Sequence, residues 1–163
     1  MASRRCCWPI THAWRFLFPS VANAIGADLM AYLLDTNVIS ELRKRKPHGA
    51  VVAWIEEIPE QALFVSAITL GEIQAGIEIT RAQDPKKAEE IELWLNDLAR
   101  TQNIIAADAA VFRRWARLMH GRPDHHLEYA LIAATALTYD LIVATRNTVE
   151  FEPFEVRLVN PFA

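Results

Sequence analysis

Three polar side chains stand where short apolar runs end: Asp35 after Tyr32-Leu33-Leu34, Glu72 beyond the run Ala62 to Ala67, and Asn147 beyond Leu141 to Ala144. Two or more hard oxygen ligands gathered at one point bind Mg2+ or Mn2+. An ion held there polarises a phosphoryl oxygen or lowers the pKa of a water, so phosphodiester hydrolysis is the chemistry to expect. Each residue also has a plainer use. Asp35 can cap a helix beginning near Thr36, and Glu72 completes the capping-box spacing Thr69-Leu70-Gly71-Glu72. Asn147 can serve as a turn residue or cap with Glu150 three positions later. Spacing alone leaves both sets of roles open.

These residues need a scaffold that brings strand ends together. Tyr32 to Leu34 reads as a strand, and helical patterning follows through Leu42 and again through Val51, Val52, Ile55 and Ile58, punctuated by Pro47 and Pro59. Ala62 to Ala67 reads as a buried strand. Thr69 to Gln83 and Pro85 to Arg100 read as two amphipathic helices forming a hairpin, with Pro85 near the start of the second. Then come a strand over Asn103 to Ala106, helices over Asp108 to Met119 and Glu128 to Thr138, and strands over Leu141 to Ala144 and Val156 to Val159. Short apolar strands alternating with helices predict an α/β fold with a central, mainly parallel sheet flanked by helices. In such sheets functional groups collect beyond the carboxyl ends of the strands, which is where Asp35, Glu72 and Asn147 fall.

Composition bounds what this scaffold can be. The chain has 163 residues, 17 Lys+Arg against 20 Asp+Glu, a formal net charge of -3, and 52% hydrophobic residues. One domain with a real core fits that length, whereas disordered, collagen-like and disulfide-scaffold chains do not. Binding nucleic acid through overall basic charge is excluded, and only a local patch could do it. Arg43-Lys44-Arg45-Lys46, near the end of the helix that Asp35 begins, could complement the helix dipole or contact an RNA backbone, and Arg113, Arg114 and Arg117 form another basic face. Trp54, Trp94 and Trp115 lie on apolar helix faces, where core packing or a subunit interface is expected ahead of base stacking. Cys6 and Cys7 are adjacent, a spacing that strains a mutual disulfide and matches no metal pattern. No run reaches the roughly 20 apolar residues of a membrane helix, because His12, Arg15 and Pro19 interrupt the one candidate stretch. Residues 1–29 lack clear periodicity and read as an extension, unstructured or arising from a start assigned ahead of Met30, with residues 30–163 as the folded domain. Arg4-Arg5 and Ala22-Asn23-Ala24 also allow an export signal, although Arg15, Pro9 and Pro19 break its apolar segment.

Four ordered blocks narrow the reading: Leu33 to Leu42, Ser66 to Glu72, Leu131 to Ala136, and Ala144-Thr145-Arg146-Asn147. Together they resemble PIN-domain ribonucleases, specifically the VapC-type toxins of type II toxin-antitoxin systems, over most of residues 31 to 163. The resemblance implies a PIN-like α/β domain and a cytoplasmic, Mg2+-dependent endoribonuclease acting on structured RNA, with Mn2+ as a substitute ion. It implies a cognate antitoxin protein as partner and a homodimer. Asp35 and Glu72 would be acidic site residues, catalytic and metal-binding, with Asn147 in a fourth position where the family has Asp or Asn.

One position departs from that pattern. The family's third acid directly precedes the Ala-Leu-Ile-Ala-Ala-Thr-Ala block, and this chain has Tyr129 there. A phenol with a reference pKa near 10 stays neutral at pH 7 and is a poor ligand for a hard divalent ion. Glu128 is adjacent but about 100° around the helix. His120, Asp124, His125, His126 and Glu128 could form a different metal cluster, one suited to Zn2+ or Mn2+, or simply a polar solvated loop around Pro123. The alternative to a ribonuclease weakened by Tyr129 is therefore a catalytically inactive PIN-fold module that binds antitoxin, RNA or both. A nucleotide-binding α/β domain is remote, because neither a G-x-G-x-x-G fingerprint nor a P-loop is present.

Overall fold

The apolar tripeptide Tyr32–Leu34 forms strand β1, and its side chains alternate between the two faces of a five-stranded sheet. Residues 30–123 and 127–163 are described by this computed structural model. Helices α1 (Thr36–Leu42) and α2 (Gly49–Glu57) follow β1, and a short 3-10 turn over Glu60–Ala62 leads into β2 (Leu63–Ser66). The hairpin of α3 (Ala67–Arg81) and α4 (Pro85–Thr101) returns the chain to β3 (Asn103–Ile105). Next come α5 (Ala109–Leu118), α6 (Leu127–Tyr139), β4 (Ile142–Ala144), the single turn α7 (Thr148–Phe151) and β5 (Leu158–Val159). The sheet order is β3-β2-β1-β4-β5, and every pairing is parallel, with Leu33 opposite Phe64 on one side and Val143 on the other.

Burial on both faces explains why the strands read as continuous apolar runs. On one face Tyr32, Leu34, Val65 and Ile142 pack with Val38 and Ile39 of α1, Val51 of α2, Ile73 and Ile77 of α3, and Leu95 and Leu98 of α4. On the other, Leu33, Phe64 and Val143 meet Ala130, Ile132, Ala133 and Ala136 of α6, with Phe151 and Phe154 beyond. The small side chains of α6 let its backbone lie close to the sheet. Trp54 and Trp94 pack against the first cluster and Trp115 against the second, in keeping with the packing expectation.

Local signals set the element ends. Pro85 occupies the first turn of α4, where its missing N–H costs nothing, and Asp84 caps that helix by accepting from the Lys87 N–H at 3.0 Å. Asp108 caps α5 in the same way through the Val111 N–H at 2.9 Å. Two starts differ from the sequence reading: β5 begins at Leu158, not Val156, and α3 begins at Ala67, not Thr69, because Ser66 accepts from the Ile68 N–H at 3.1 Å. The capping-box role for Thr69 and Glu72 falls with that shift, since Thr69 is buried inside the helix and its hydroxyl has no partner. The run Arg43 to Lys46 also lies past the last turn of α1, which ends at Leu42.

Candidate active site

The strand order reverses around β1, whose two neighbours are β2 and β4. Crossovers leave such a point toward opposite faces of the sheet, opening a crevice at the carboxyl ends of β1 and β4. Asp35 follows β1 directly and Thr145 follows β4, and the Asp35 N–H donates to the Ala144 carbonyl at 3.0 Å. That bond ties the two exits together.

Asp35 is 4% exposed, and its carboxylate is held by groups from both exits. Oδ1 accepts from the Thr36 N–H at 2.8 Å, which makes Asp35 the N-cap of α1 as well. Oδ2 accepts from the Thr145 hydroxyl at 2.7 Å and from the Asn37 amide. Thr145 Oγ1 in turn accepts from Asn37 Nδ2 at 3.0 Å and from the Asn147 N–H at 2.9 Å. Asn37 completes the ring by accepting from the Arg146 N–H at 3.0 Å. A buried carboxylate is tolerable when satisfied in this manner. Burial still dominates, raising the Asp35 pKa above its ordinary value against the opposing hydrogen bonds from Thr145, Thr36 and Asn37.

Glu72 reaches the same crevice from the second turn of α3. The Thr36 hydroxyl donates to Glu72 Oε2, so one residue touches both acids, through its N–H to Asp35 and its hydroxyl to Glu72. Burial raises the Glu72 pKa, opposed by the Thr36 bond, and the negative charges of Asp35 and Glu128 raise it further. Glu128 is exposed, and although it is displaced around α6 from Tyr129 its field still reaches Glu72. From Thr36 and Glu72 a groove of about 300 Å³ runs along α3 to Trp94 of α4, where Arg43 lies over the indole ring at 5.7 Å.

Tyr129 stands at the same site, within reach of Asn147, Asp35 and Glu72. Its ring packs edge-on against Phe151 at 5.3 Å, and burial is the main reason its phenol is pushed above the ordinary pKa. Glu150, Asp35 and Glu72 push it the same way, while a hydrogen bond with the Asn147 side chain opposes them. The phenol is therefore neutral at pH 7. Asn147 uses its backbone, not its side chain, at the start of α7, so the capping role with Glu150 is not formed.

The structure thus brings Asp35, Glu72 and Asn147 to one crevice with Tyr129 among them. Sequence reasoning missed Thr36, Asn37 and Thr145 as the residues that hold the acids; the signal available was that Asp-Thr-Asn and Ala-Thr-Arg-Asn each end an apolar strand. Of the second cluster considered, Asp124, His125 and His126 lie outside the described residues. Among the described residues no three His, Cys, Asp or Glu come together as a group able to hold a metal ion. The oxygen-only donors Asp35, Glu72 and Asn147 nonetheless suit a hard divalent ion, and two neighbouring carboxylates of raised pKa are an arrangement that positive charge would relieve.

Comparison with known proteins gives the family. The VapC ribonuclease Y4jK of Sinorhizobium fredii is 34% identical over 140 residues, covering 80% of this chain and 96% of that protein. Toxin FitB of Neisseria gonorrhoeae is 34% identical over 136 residues, with 80% and 97% covered. The crystal structure of FitAcB from the same organism aligns at a TM-score of 0.69 and 32% identity, covering 80% of this chain and 98% of that one. Residues 32–152, from β1 through the acid-bearing exits to α7, match the model of the PIN domain, and the chain belongs to that family.

Proposed function

We propose that this chain is the toxin of a toxin-antitoxin pair, a cytoplasmic endoribonuclease that hydrolyses RNA phosphodiester bonds with the help of Mg2+ or Mn2+. The observation that carries the reading is the Asp35–Thr36–Glu72 arrangement: two carboxylates of raised pKa, bridged by one residue, at the switch point of a parallel sheet. Asp35, Glu72 and Asn147 would hold the ion, which when bound supplies Lewis-acid polarisation of a phosphoryl oxygen and acidifies water. Thr145 and Asn37 fix the Asp35 carboxylate, and Thr36 sets Glu72 beside it. The neutral phenol of Tyr129 can donate a hydrogen bond to an RNA oxygen at the same edge. Likeness to FitB and FitAcB supports a cognate antitoxin as partner, and residues 30–163 as the folded unit. No helix among the described residues is long and apolar enough to cross a membrane.

A second reading, a PIN-fold module that binds antitoxin or RNA without cleaving, is favoured by Tyr129 alone, which removes one carboxylate from the site. Incubating total RNA with the purified protein, with Mg2+, with Mn2+ and with chelator, separates the two. Metal-dependent fragments lost in Asp35→Asn establish the nuclease. Binding without any cleavage establishes the module.

A further inference from the structure

At the end of α6 away from Tyr129, the helices α5 and α6 enclose a shallow concavity of about 300 Å³ lined by Ala110, Arg113, Arg114, Arg117 and Thr138. Its three arginines are exposed, and none has a carboxylate or other polar partner among the described residues, whereas Arg81, Arg100 and Arg157 are each paired with an acid. Within five residues of one helix, Arg117 faces both Arg113 and Arg114 at i,i+4 and i,i+3 spacing, and each such like-charge pair repels by a few tenths of a kcal/mol. In a chain of net charge -3, such a free cationic cluster calls for an anionic occupant.

We propose that this concavity is an exosite for the sugar-phosphate backbone of RNA, holding the substrate at a distance from the scissile bond. The inference rests on the ribonuclease reading and adds a second contact to it. Nine residues of α6 separate Thr138 from Tyr129, about 14 Å of helix, a distance that several nucleotides of one strand bridge. Guanidinium groups with all donors free suit phosphate oxygens. The same charge disfavours a symmetric subunit contact, which would set three arginines against three more.

The triple variant Arg113→Gln/Arg114→Gln/Arg117→Gln, altered only at exposed positions, tests it. Anisotropy of a labelled single-stranded RNA of roughly 20 nucleotides, measured in chelator, gives affinity against salt. Three lost phosphate contacts lower the slope of log K against log salt by about 2, so between 50 and 200 mM salt the parent loses about 18-fold more affinity than the variant. Cleavage of a dinucleoside monophosphate, whose one phosphate is the scissile one, stays at the parental rate. The corresponding triple Lys variant restores most of the slope, since the contact is largely Coulombic. An unchanged slope overturns the exosite, as does an equal loss on the dinucleotide, or a change in oligomeric state that makes the face a subunit contact. A parent that binds the RNA but cleaves nothing refutes the ribonuclease reading, and the slope then still decides the exosite.

Discussion

Thr145→Val removes one hydroxyl and keeps the shape, and its cost follows from the contacts that hydroxyl makes. Thr145 is fully buried, and Oγ1 donates to Asp35 at 2.7 Å while accepting from Asn37 and the Asn147 N–H. Asn147 is exposed, so water replaces the bond its N–H loses. Asp35, at 4% exposure, has no such recourse. A hydrogen bond to a charged group is worth about 1.5–3 kcal/mol, against about 1 kcal/mol for a neutral one. Metal-free Thr145→Val should therefore be about 2–3 kcal/mol less stable than the parent at pH 7.

The same contact fixes the pH dependence. Burial holds the Asp35 pKa above its ordinary value near 3.8, so this group contributes stability below that value and loses it as pH rises through the folded pKa. The Thr145 bond works in the opposite direction, and removing it lifts Asp35 further. The penalty of the substitution is thus largest where Asp35 is ionised and shrinks to about 1 kcal/mol where it is protonated. Urea unfolding in chelator at pH 7 and at about pH 3, below the ordinary carboxyl value, measures the two conditions, with Thr145→Ser as the control that keeps the hydroxyl. A cost below about 1 kcal/mol at pH 7, or the same cost at both pH values, would refute the account of Asp35 as a buried charge held by Thr145.

Glu72→Gln should abolish divalent-ion binding by calorimetry and cut cleavage roughly 10-fold or more, since even outer-shell partners of metals are worth 10–100-fold. It should also raise the melting temperature of the metal-free protein at pH 7 and leave it unchanged near pH 4, because burial and the charges of Asp35 and Glu128 penalise the ionised form only. Thr69→Val should stabilise by about 1 kcal/mol in urea unfolding, as it deletes a buried hydroxyl with no partner and keeps the β-branched shape. Tyr129→Asp should tighten Mn2+ binding and raise cleavage, an effect lost when Asp35 is also changed, while costing about 1 kcal/mol or more from the lost edge-on contact with Phe151. Deleting residues 1–29 should leave the melting temperature within about 2 °C of the full chain, since their sequence shows no periodicity that would let them add an element to the core.

The elements were largely legible because their signals are local. The strand Tyr32 to Leu34, Pro85 at the start of α4, and Asp108 before α5 each declare themselves within a few residues. The start of α3 did not, because two serine or threonine side chains three positions apart compete to cap it, and packing that buries Thr69 decides for Ser66. The acids Asp35 and Glu72 were legible as types at strand exits, but what holds them was not. Thr145 lies 110 positions from Asp35 in the chain, and Thr36 lies 36 from Glu72, pairings that only the switch-point topology creates. Helical arithmetic placed Glu128 off the Tyr129 face, yet it could not show that an exposed carboxylate there still acts on Glu72.

Those long-range contacts explain how a crevice of this kind can exist in a marginally stable domain. Burial alone would drive Asp35 to hold its proton, and a protonated acid is a poor cation ligand. The ring of Thr145, Asn37 and the Thr36 N–H offsets part of that desolvation without adding a positive side chain that would compete with an ion. A lysine or arginine in the same place would satisfy the charge more fully, and would cancel the negative potential on which cation binding depends. Tyr129 acts on the same balance from the other side. Its neutral phenol spares Asp35 and Glu72 a third like charge, which would steady the metal-free fold and weaken the attraction for a divalent ion. Stability of the metal-free crevice and affinity for an ion would therefore be opposed at this one position, with the charge at residue 129 setting the balance between them.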